Sequence, residues 1–405
     1  MSIAILPELR FPEFDGEWKR KPVSEIGYFT KGTGVSKNDL VEGGSVPAIR
    51  YGELYTQYGA NILDVVSRLE SSNGLKISSG NEVLIPSSGE TAYDIATASA
   101  LTIEGVVLGG DINIFTTDND PHFIAATIRG IRKLDIARLA QGISVSHVYG
   151  SEISTLSFNL PSLAEQKKIA GFLAAVDYKL SAMEAQLVGW REYKRGMMQA
   201  LFSQSLRFKA DDGSDFPEWK IMPLKKIAKR STNKNTGYEV KRVLSNSALE
   251  GIVDQTSYFE RNITTASNLD GYYIVKLGDF VYNPRVSKFA PVGPISRNNI
   301  ADGVMSPLYT VFTPTPHAAA YLEAYFKSND WNEYVYRVSN VGARHDRMNI
   351  LTTDFMDMPI KLPCLPEQQK IVNALSTIDM KIEALTERLD NMHKFKRGLL
   401  QKMFV

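Results

Sequence analysis

Basic side chains are the most concentrated chemical groups in this sequence, and they gather in its second half. Between positions 225 and 242, a single acid, Glu239, accompanies Lys225, Lys226, Lys229, Arg230, Lys234, Lys241 and Arg242. Lysine and arginine neutralise phosphates, and arginine pairs with guanine through two hydrogen bonds in the major groove. The stretch therefore predicts contacts with nucleic acid, above all through Lys225, Lys229 and Lys234. A solvated charged surface is the alternative for any single residue.

Loops elsewhere offer groups of a similar kind. In the second half, Arg285 and Lys288 follow a strand-like run, and VGARHDRMN (341–349) supplies Arg344, His345 and Arg347. The corresponding loops of the first half carry hydroxyl and imidazole groups instead: Ser87, Ser88, Tyr93, Ser144, Ser146 and His147. We predict that these loop residues contact DNA.

The motifs of common enzyme classes are missing from the sequence. It has no GxxxxGK[ST] phosphate loop, no GxGxxG at a helix start and no HExxH pair. With one cysteine, Cys364, and five scattered histidines, no metal site is expected. A Ser–His–Asp arrangement stays open because its members need not be adjacent, but no GxSxG elbow marks a nucleophile. We therefore expect a chain that binds, with no catalytic residue and no cofactor of its own.

Composition indicates a globular protein of a reducing compartment. The formal net charge is +1 at pH 7, 43% of the residues are hydrophobic and 22% are charged, which suits folded domains. A single cysteine excludes a disulfide framework and fits the cytoplasm, where we expect this protein. No apolar run approaches the roughly 18–20 residues of a membrane span, and MSIAILPELRF does not look like a signal peptide.

Two long helical segments must position these loops. Residues 160–202 align without a gap to residues 362–404, at an offset of 202. Both segments repeat apolar residues at alternating steps of four and three, which predicts the seam of a coiled coil. The seam positions are Ile169, Leu173, Val176, Leu180, Met183, Leu187 and Trp190 in the first segment, and Ile371, Leu375, Ile378, Ile382, Leu385, Leu389 and Met392 in the second.

Lysines interrupt both seams at equivalent positions, Lys194 and Lys396. We predict that Tyr193 and Phe395, one residue earlier, take over the apolar stripe. A glycine follows two residues after each lysine. Because glycine within a helix costs about 1 kcal/mol relative to alanine, close approach of a second helix is a plausible reason for it.

The repeat divides the chain into two globular modules, each followed by a long helix. The predicted modules are residues 1–159 and 204–361, and the predicted helices are residues 160–203 and 362–405. Within the modules, short strands alternate with turns around one amphipathic helix each, at about 121–139 and 316–338. Residues 153–160 are predicted as a strand, and Ser162 with Glu165 has capping-box spacing. The fold class is mixed α+β, and a pseudo-twofold relation between the halves would pair the helices as an antiparallel coiled coil.

The duplicated pattern also carries a resemblance. LPSLAEQKKI at 160–169 and LPCLPEQQKI at 362–371 resemble the specificity subunit of type I restriction–modification enzymes. The resemblance covers the whole chain, in which two variable target-recognition modules alternate with two similar helical regions. It implies that each module reads one half of a split, asymmetric target in double-stranded DNA, with a spacer of fixed length between the halves.

The same resemblance implies partners. The helices would dock two methyltransferase subunits, which bring S-adenosylmethionine and methylate adenine. In the full complex, motor–nuclease subunits would bind ATP and Mg²⁺ and add translocation and cleavage. Two other classes of function stay open: a structural adaptor whose modules bind protein across a coiled-coil spacer, and an enzyme with an unrecognised hydrolase site.

Overall fold

The structure of the chain is a computed structural model that describes residues 6–142, 144–255, 269–341 and 346–405. It divides into two compact units. Unit 1 is built from Met1–Gln186 together with Leu385–Val405, and unit 2 from Leu187–Ala384. Each predicted long helix therefore contributes one part to unit 1 and the other part to unit 2.

Unit 1 is mostly made of short strands and helices. Its strands are β1 (Lys19–Pro22), β2 (Gly27–Lys31), β3 (Val46–Ile49), β4 (Asn61–Ile62), β5 (Arg68–Leu69), β6 (Ile77–Ser79), β7 (Glu82–Pro86), β8 (Ser88–Gly89), β9 (Ser99–Leu101), β10 (Glu104–Leu108), β11 (Ile112–Thr117), β12 (Ser146–His147) and β13 (Ser157–Leu160). Its helices are α1 (Glu53–Thr56), α2 (Ala92–Ile95), α3 (Pro121–Gly130), α4 (Lys133–Leu139), α5 (Gly150–Ile153) and the first part of α6 (Leu163–Phe202).

Unit 2 follows a similar plan. Its strands are β14 (Lys220–Pro223), β15 (Ala228–Ser231), β16 (Leu244–Ser247), β17 (Gly251–Asp254), β18 (Tyr273–Val275), β19 (Phe280–Tyr282), β20 (Ile295–Arg297), β21 (Gly303–Met305), β22 (Thr310–Pro314), β23 (Asn340–Val341), β24 (Met348–Asn349) and β25 (Pro359–Leu362). Its helices are α7 (Ala319–Phe326), α8 (Asn332–Val338), α9 (Thr352–Met356) and the first part of α10 (Leu365–Lys402).

A central sheet anchors each module to the long helices. In unit 1 the strand order is β2-β11-β7-β9-β4, and in unit 2 it is β15-β22-β19-β20. Phe115 of β11 belongs to the same buried core as Leu173 of α6 and Leu399 of α10. Phe312 of β22 shares the core of unit 2 with Leu375 of α10. These cores bury the apolar stripe of each helix segment, which stabilises helices of this length more than propensity does.

Within each unit, the two long helices run antiparallel. In unit 1, Lys396 Nζ lies 2.5 Å from Asp177 Oδ1, and His393 Nε2 lies 3.5 Å from Glu184 Oε1. Residue numbers thus fall along α10 as they rise along α6. Unit 2 has the same arrangement: Lys381 Nζ lies 4.6 Å from the ring centroid of Trp190, and Lys194 Nζ lies 2.5 Å from Asp379 Oδ1. The mixed α+β fold and the antiparallel pairing agree with the sequence predictions.

A glutamate at the start of α6 holds the segment that precedes the first module. Arg10 donates from Nε and Nη2 to the two carboxylate oxygens of Glu165, at 2.7 and 2.8 Å. The indole of Trp18 donates to the same carboxylate at 3.3 Å. The hydrogen bond between Arg10 and Glu165 raises the pKa of Arg10 above its ordinary value, so the guanidinium stays charged. The predicted capping box is only half formed, because the amide of Glu165 donates to Ser162 Oγ while its carboxylate binds Arg10.

Unit 2 repeats this clamp residue for residue. Arg207 donates from Nε and Nη2 to the carboxylate of Glu367 at 3.1 and 2.9 Å, and the Trp219 indole donates to it at 3.0 Å. The following glutamines also match, since Gln166 and Gln368 each donate to the carbonyl of the proline five residues earlier. The repeated Glu-Gln pair of the sequence is therefore a structural device at the start of each helix.

Two predicted helices and one predicted strand are interrupted. Residues 121–139 form α3 and α4, because the amides of Ile131 and Arg132 both donate to the Thr127 carbonyl and end the first helix. Residues 316–338 likewise divide into α7 and α8. The run 153–160 begins at the end of α5 and becomes extended only in β13.

The prediction that Tyr193 and Phe395 take over the seams is wrong. Their side chains are 52% and 50% exposed, while Lys194 and Lys396 reach acids of the opposite helix within their own units. The glycines do not mark a close approach either, since an added Cβ at Gly196 would meet nothing within 4 Å. The same holds for the glycine at position 398. Most of the predicted seam residues are buried. Four of them are only half-buried: Trp190, Ile382, Leu389 and Met392.

Candidate nucleic-acid interface

Two of the loops predicted to contact DNA meet in unit 1. Strand β8 pairs antiparallel with β12, which places Ser88 opposite His147 and Gly89 opposite Ser146. The Ser88 hydroxyl lies 3.0 Å from Nδ1 of His147. Residues almost sixty positions apart in the sequence therefore form one hydrogen-bonded pair.

Hydrogen bonds on both sides fix the segment that carries His147. The backbones of His147 and Gln141 exchange hydrogen bonds of 2.7 and 2.8 Å. Buried Asn113 of β11 donates from its side chain to the Val148 carbonyl at 2.9 Å and accepts from the Gly150 amide at 3.0 Å. Because the segment is bonded to the central sheet, the side chains on it keep defined positions.

A tyrosine and a lysine extend this surface. The ring of Tyr149 stacks on that of His147, with centroids 6.5 Å apart and planes inclined by 5°. Lys31, at the end of β2, places Nζ 4.6 Å from the centroid of the Tyr149 ring. We call Lys31, Ser88, His147 and Tyr149 the imidazole surface. It combines a positive charge with aromatic faces, as nucleic-acid sites do.

The other predicted residues of unit 1 differ in accessibility. Ser87 and Ser146 are buried and Ser144 is exposed. Tyr93 is exposed, and Lys133 Nζ lies 3.6 Å from its ring centroid. A buried serine hydroxyl cannot reach a large ligand directly, so only the exposed members of this group are available for such contact.

The Ser88–His147 pair is not arranged as a hydrolase site. In a Ser–His–Asp triad, Nε2 of the histidine faces the serine and Nδ1 faces the acid. Here Nδ1 faces the serine, and Ser88 is only 5% exposed. The geometry suits a serine that holds the imidazole ring rather than one that attacks a substrate.

Unit 2 has a basic groove beside its edge strand β15. The groove has a volume of about 650 Å³, and its lining includes Lys225, Lys226, Lys229 and Arg230. Lys225 forms an ion pair with Asp357. Lys226 and Lys229 are exposed, and Nε of Arg230 is buried without a hydrogen-bond partner among the residues that the structure describes. Free positive charge around an open groove suits contact with phosphate groups.

The predicted loops of unit 2 also meet. Arg285 lies opposite Arg347 in an isolated antiparallel bridge. The amide of Val286 donates to the Asp346 carbonyl and the amide of Met348 to the Pro284 carbonyl, each at 2.9 Å. Two further predicted cations are also exposed. Lys288 follows Arg285 closely in the sequence, and Lys234 belongs to the basic stretch. The predicted residues Arg344 and His345 lie outside the described residues.

Sequence reasoning missed several members of these surfaces. Lys31 and Tyr149 were not selected, because a lone lysine and a lone tyrosine carry no local signal until the fold brings them together. Lys226 and Arg230 belong to the basic stretch but were not among the residues predicted to contact DNA. The alternation of the β15 strand could have indicated that Arg230 points to the side opposite Lys229.

Neither a candidate metal site nor a candidate membrane span occurs in the described part of the chain. There, no three histidine, cysteine, aspartate or glutamate side chains are grouped closely enough to hold a metal ion. Within the same ranges, no helix combines the length and the apolar character needed to cross a membrane.

Comparison with known proteins gives consistent matches. Residues 15–188 match the type I restriction modification DNA specificity domain. The chain is 23% identical over 276 residues to the type I restriction enzyme MjaVIII specificity subunit of Methanocaldococcus jannaschii, covering 64% of each chain. It is 22% identical over 300 residues to the putative type I restriction enzyme MjaX specificity subunit of the same organism, covering 69% of this chain and 66% of the relative. The chain thus matches just under two thirds of the length of each relative.

Solved structures show the same fold over nearly the full length. The S subunit of a type I restriction–modification system from M. genitalium aligns with a TM-score of 0.60 and 14% identity, over 99% of both chains. A chain from a study of complex assembly and conformational transition in the type I system aligns with a TM-score of 0.55 and 16% identity, over 96% of this chain and 97% of that one. Residues 15–188 thus match the type I restriction modification DNA specificity domain, and the chain shares its fold with the solved S subunit.

Proposed function

We propose that this chain is the sequence-specific DNA-recognition and scaffold subunit of a type I restriction–modification system. Unit 1 reads one half of a bipartite, asymmetric target and unit 2 reads the other half. The long helices set the spacer between the halves and dock two methyltransferase subunits. The chain itself is not a catalyst and acts in the cytoplasm.

An antiparallel pairing of two loops, which we call the loop ladder, occurs in both units with different side chains. This pairing carries the proposal. In unit 1 it places Ser88 opposite His147, and in unit 2 it places Arg285 opposite Arg347. Both pairings are antiparallel, a two-residue ladder in unit 1 and an isolated bridge in unit 2, but the first presents an imidazole and the second presents two guanidinium groups. Bases differ in the donors and acceptors that they expose in the major groove, so different groups on one frame suit two different half-sites.

The basic groove supports a second kind of contact. Lys226 and Lys229 are exposed on its wall, and neither belongs to an ion pair among the described residues. Phosphate contacts fix the position of a protein on DNA without reading its sequence. We assign these two lysines to the DNA backbone and the loop ladders to the bases.

The test is a salt titration of DNA binding by the complex of this chain with methyltransferase subunits. The logarithm of the affinity should fall linearly with the logarithm of salt concentration, by about 0.9 for each phosphate contact. The double substitution Lys226→Ala with Lys229→Ala should make this slope shallower by about 2 and weaken binding equally for all target sequences. Lys276→Ala, which removes an exposed lysine outside the groove, is the control.

The adaptor alternative makes the opposite prediction. An adaptor whose modules bind protein would hold its partners without DNA, and neither the groove lysines nor the loop ladders would affect recognition of any bipartite sequence. Failure of the wild-type complex to prefer any bipartite target would contradict the DNA-recognition proposal and favour the adaptor.

Exposed apolar side chains on the long helices support docking of two equivalent partners. Six such residues occupy three pairs of positions at the repeat offset: Leu163 and Leu365, Tyr178 and Met380, Tyr193 and Phe395. Leu163, Tyr178 and Phe395 lie in unit 1, and Leu365, Met380 and Tyr193 lie in unit 2. Large apolar residues exposed at matched positions are typical of protein contacts. In this proposal the partners bring S-adenosylmethionine, and motor–nuclease subunits bring ATP and Mg²⁺.

The spacer role can be tested by shortening both helices equally. Deleting residues 181–187 and 383–389 removes one heptad from each helix and preserves the seam. Seven residues span roughly 10 Å, or about three base pairs of DNA. We expect the methylated target to change its spacer by about that amount, or binding to be lost. An unchanged spacer with unchanged binding would exclude a ruler role.

A further inference from the structure

The residues of the imidazole surface differ in their exposure to solvent. Ser88 is buried, whereas His147 is half-buried and Tyr149 and Lys31 are exposed. A ligand as large as a DNA duplex can therefore touch the imidazole, the phenol ring and the ammonium group, but not the serine hydroxyl. The serine can influence such a ligand only through the histidine that it binds.

The hydrogen bond between Ser88 and His147 links the serine hydroxyl to what the exposed side of the ring offers. When the hydroxyl donates to Nδ1, the neutral imidazole carries its proton on Nε2. A protonated imidazole also presents Nε2–H, with Nδ1–H donating to the hydroxyl. A neutral ring with its proton on Nδ1 would instead donate to the hydroxyl and leave Nε2 as an acceptor. In the other two states Nε2 is a hydrogen-bond donor, and it has no hydrogen-bond partner within the described part of the structure. The acceptors that suit it in the major groove are N7 and O6 of guanine, N7 of adenine and O4 of thymine.

The ring is also held in place before any ligand arrives. Backbone exchange with Gln141 and the Asn113 side chain fix the segment, the serine fixes Nδ1, and the Tyr149 ring stacks against one face. A group that loses little freedom on binding discriminates between bases more sharply than a mobile one. Lys31, stacked over Tyr149, brings its charge to the same surface, where a phosphate would be a neighbour.

We propose that His147 is the specificity-determining residue by which unit 1 reads one base pair of its half-site, donating from Nε2 to a major-groove acceptor. Ser88 is its positioning residue, and Lys31 contacts the adjacent phosphate. This inference rests on the proposed function, and it names the residue and the chemical group that carry recognition in unit 1.

The experiment sequences the methylated targets produced by the complex of this chain with its methyltransferase subunits. His147→Asn keeps a polar atom near the position of Nδ1 and removes the one at Nε2. His147→Gln does the reverse, keeping a donor near Nε2. We expect H147N to relax preference at a single position of one half-site by about tenfold, the effect of losing one good base contact, with the second half-site unchanged. H147Q should retain more of that preference than H147N.

The positioning role has its own readout. Ser88→Ala should lower the preference at that same base pair several-fold, and Ser88→Thr, which keeps the hydroxyl, should restore it. Lys31→Ala should instead weaken binding to all sequences alike and make the salt slope shallower by about 1. The thermal unfolding of each variant shows whether it is folded, and the unchanged second half-site serves as an internal control for DNA binding.

The outcomes separate this inference from the function that it deepens. A wild-type complex without any bipartite preference would overturn the proposed function itself. A wild-type complex with a bipartite target, combined with H147N and S88A variants of unchanged preference in both half-sites, would overturn only the role of His147. Relaxation of both half-sites together by S88A would show a structural rather than a positioning role.

Discussion

At the start of each long helix, one glutamate binds an arginine, a tryptophan and the chain segment that leads into its module. The carboxylate of Glu165 is 2% exposed and its partner Arg10 is 15% exposed. A buried carboxylate that loses its charge leaves the arginine without compensation, so the pair should matter for stability. The repeated Glu-Gln pair of the sequence serves the fold, because its side chains tie the start of each long helix to the segments that precede it.

Glu165→Gln should destabilise unit 1, and Glu367→Gln should destabilise unit 2. We expect each to lower the free energy of unfolding of its own unit by about 2–3 kcal/mol, less than for a fully buried pair because the arginines are partly exposed. Differential scanning calorimetry, with the two units followed as separate transitions, measures the effect.

Glu218→Gln is the matched control for this prediction. Glu218 also faces Arg207, at 3.8 Å, but is 93% exposed, and exposed pairs contribute little. Equal destabilisation by E218Q and E367Q would contradict the assignment of the buried carboxylate as the anchor.

Single residues were predicted unevenly from the sequence. The serine and histidine loops of the first half meet, and so do the two arginine loops of the second half, but neither pairing was predicted from the sequence. Burial could not be inferred either, since Ser87 and Ser88 are polar residues in a turn-like sequence and yet lie inside. Lys31 could not be chosen at all, because only the sheet order brings the end of β2 beside the loop of Tyr149.

At the scale of elements, apolar periodicity predicted the long helices, but it did not predict that lysines would occupy positions in their seams. A lysine at a seam position was expected to yield to the neighbouring aromatic residue. Instead, Lys194 keeps its place because its alkyl stem covers apolar surface while its ammonium group reaches Asp379. A heptad pattern is defined by apolar residues alone. It therefore does not predict that a lysine can occupy a seam position by packing its alkyl stem and pairing its ammonium group with an acid.

The Lys194–Asp379 pair can be tested by charge reversal. Lys194→Asp places two carboxylates together and should lower the free energy of unfolding of unit 2 by about 1–2 kcal/mol, given the modest value of partly exposed pairs. Adding Asp379→Lys should recover most of that loss, as judged by denaturant unfolding.

Lys194→Met is the control, because it keeps an apolar stem without the charge. It should cost less than Lys194→Asp. If the double variant is no more stable than K194D alone, the ion pair is not what keeps the lysine in the seam.

The shorter helices show a limit of periodicity. Residues 121–139 have the apolar spacing of one helix, and both resulting pieces do bury an apolar side. The break after α3 depends on two amides that share the Thr127 carbonyl, and the bond from Arg132, five residues later, is of the kind that ends helices. Apolar spacing does not specify such an ending.

At the scale of the whole molecule, duplication explains why half-chain symmetry was visible in the sequence. Each unit contains a clamp, a lysine–aspartate ion pair between the two long helices and an antiparallel pairing of two loops. The repeated order of a module followed by a long helix could be inferred because the repeat offset is constant along the helices. The division of each long helix between two units could not, because it depends on antiparallel pairing rather than on sequence order.

Matched docking positions predict a stepwise loss of partners. Tyr193→Glu and Phe395→Glu should each weaken the binding of one methyltransferase subunit by about 100-fold or more, as for an apolar hot spot, and leave the other subunit bound. The double variant should bind neither. Native mass spectrometry of the assembled complex gives the stoichiometry directly.

Val188→Glu is the control for docking, since Val188 is equally exposed on α6 but its counterpart in α10 is an aspartate. It should leave two subunits bound. Retention of both subunits by the double variant Y193E/F395E would show that these aromatic residues serve another purpose.

The composition of unit 1 has a consequence for the order in which the protein is synthesised. Leu399, Met403 and Phe404 belong to its core, and the Asn159 side chain donates to the carbonyl of Val405 at 2.7 Å. Unit 2 is one uninterrupted stretch of chain, so every residue that it needs has been made by position 384. At about 5–20 residues per second, the ribosome needs roughly 10–40 s to pass from the end of α6 to Leu399. Throughout that time the first-made module holds an apolar helix stripe without its partner, and the half of the protein that is translated first is the last to be completed.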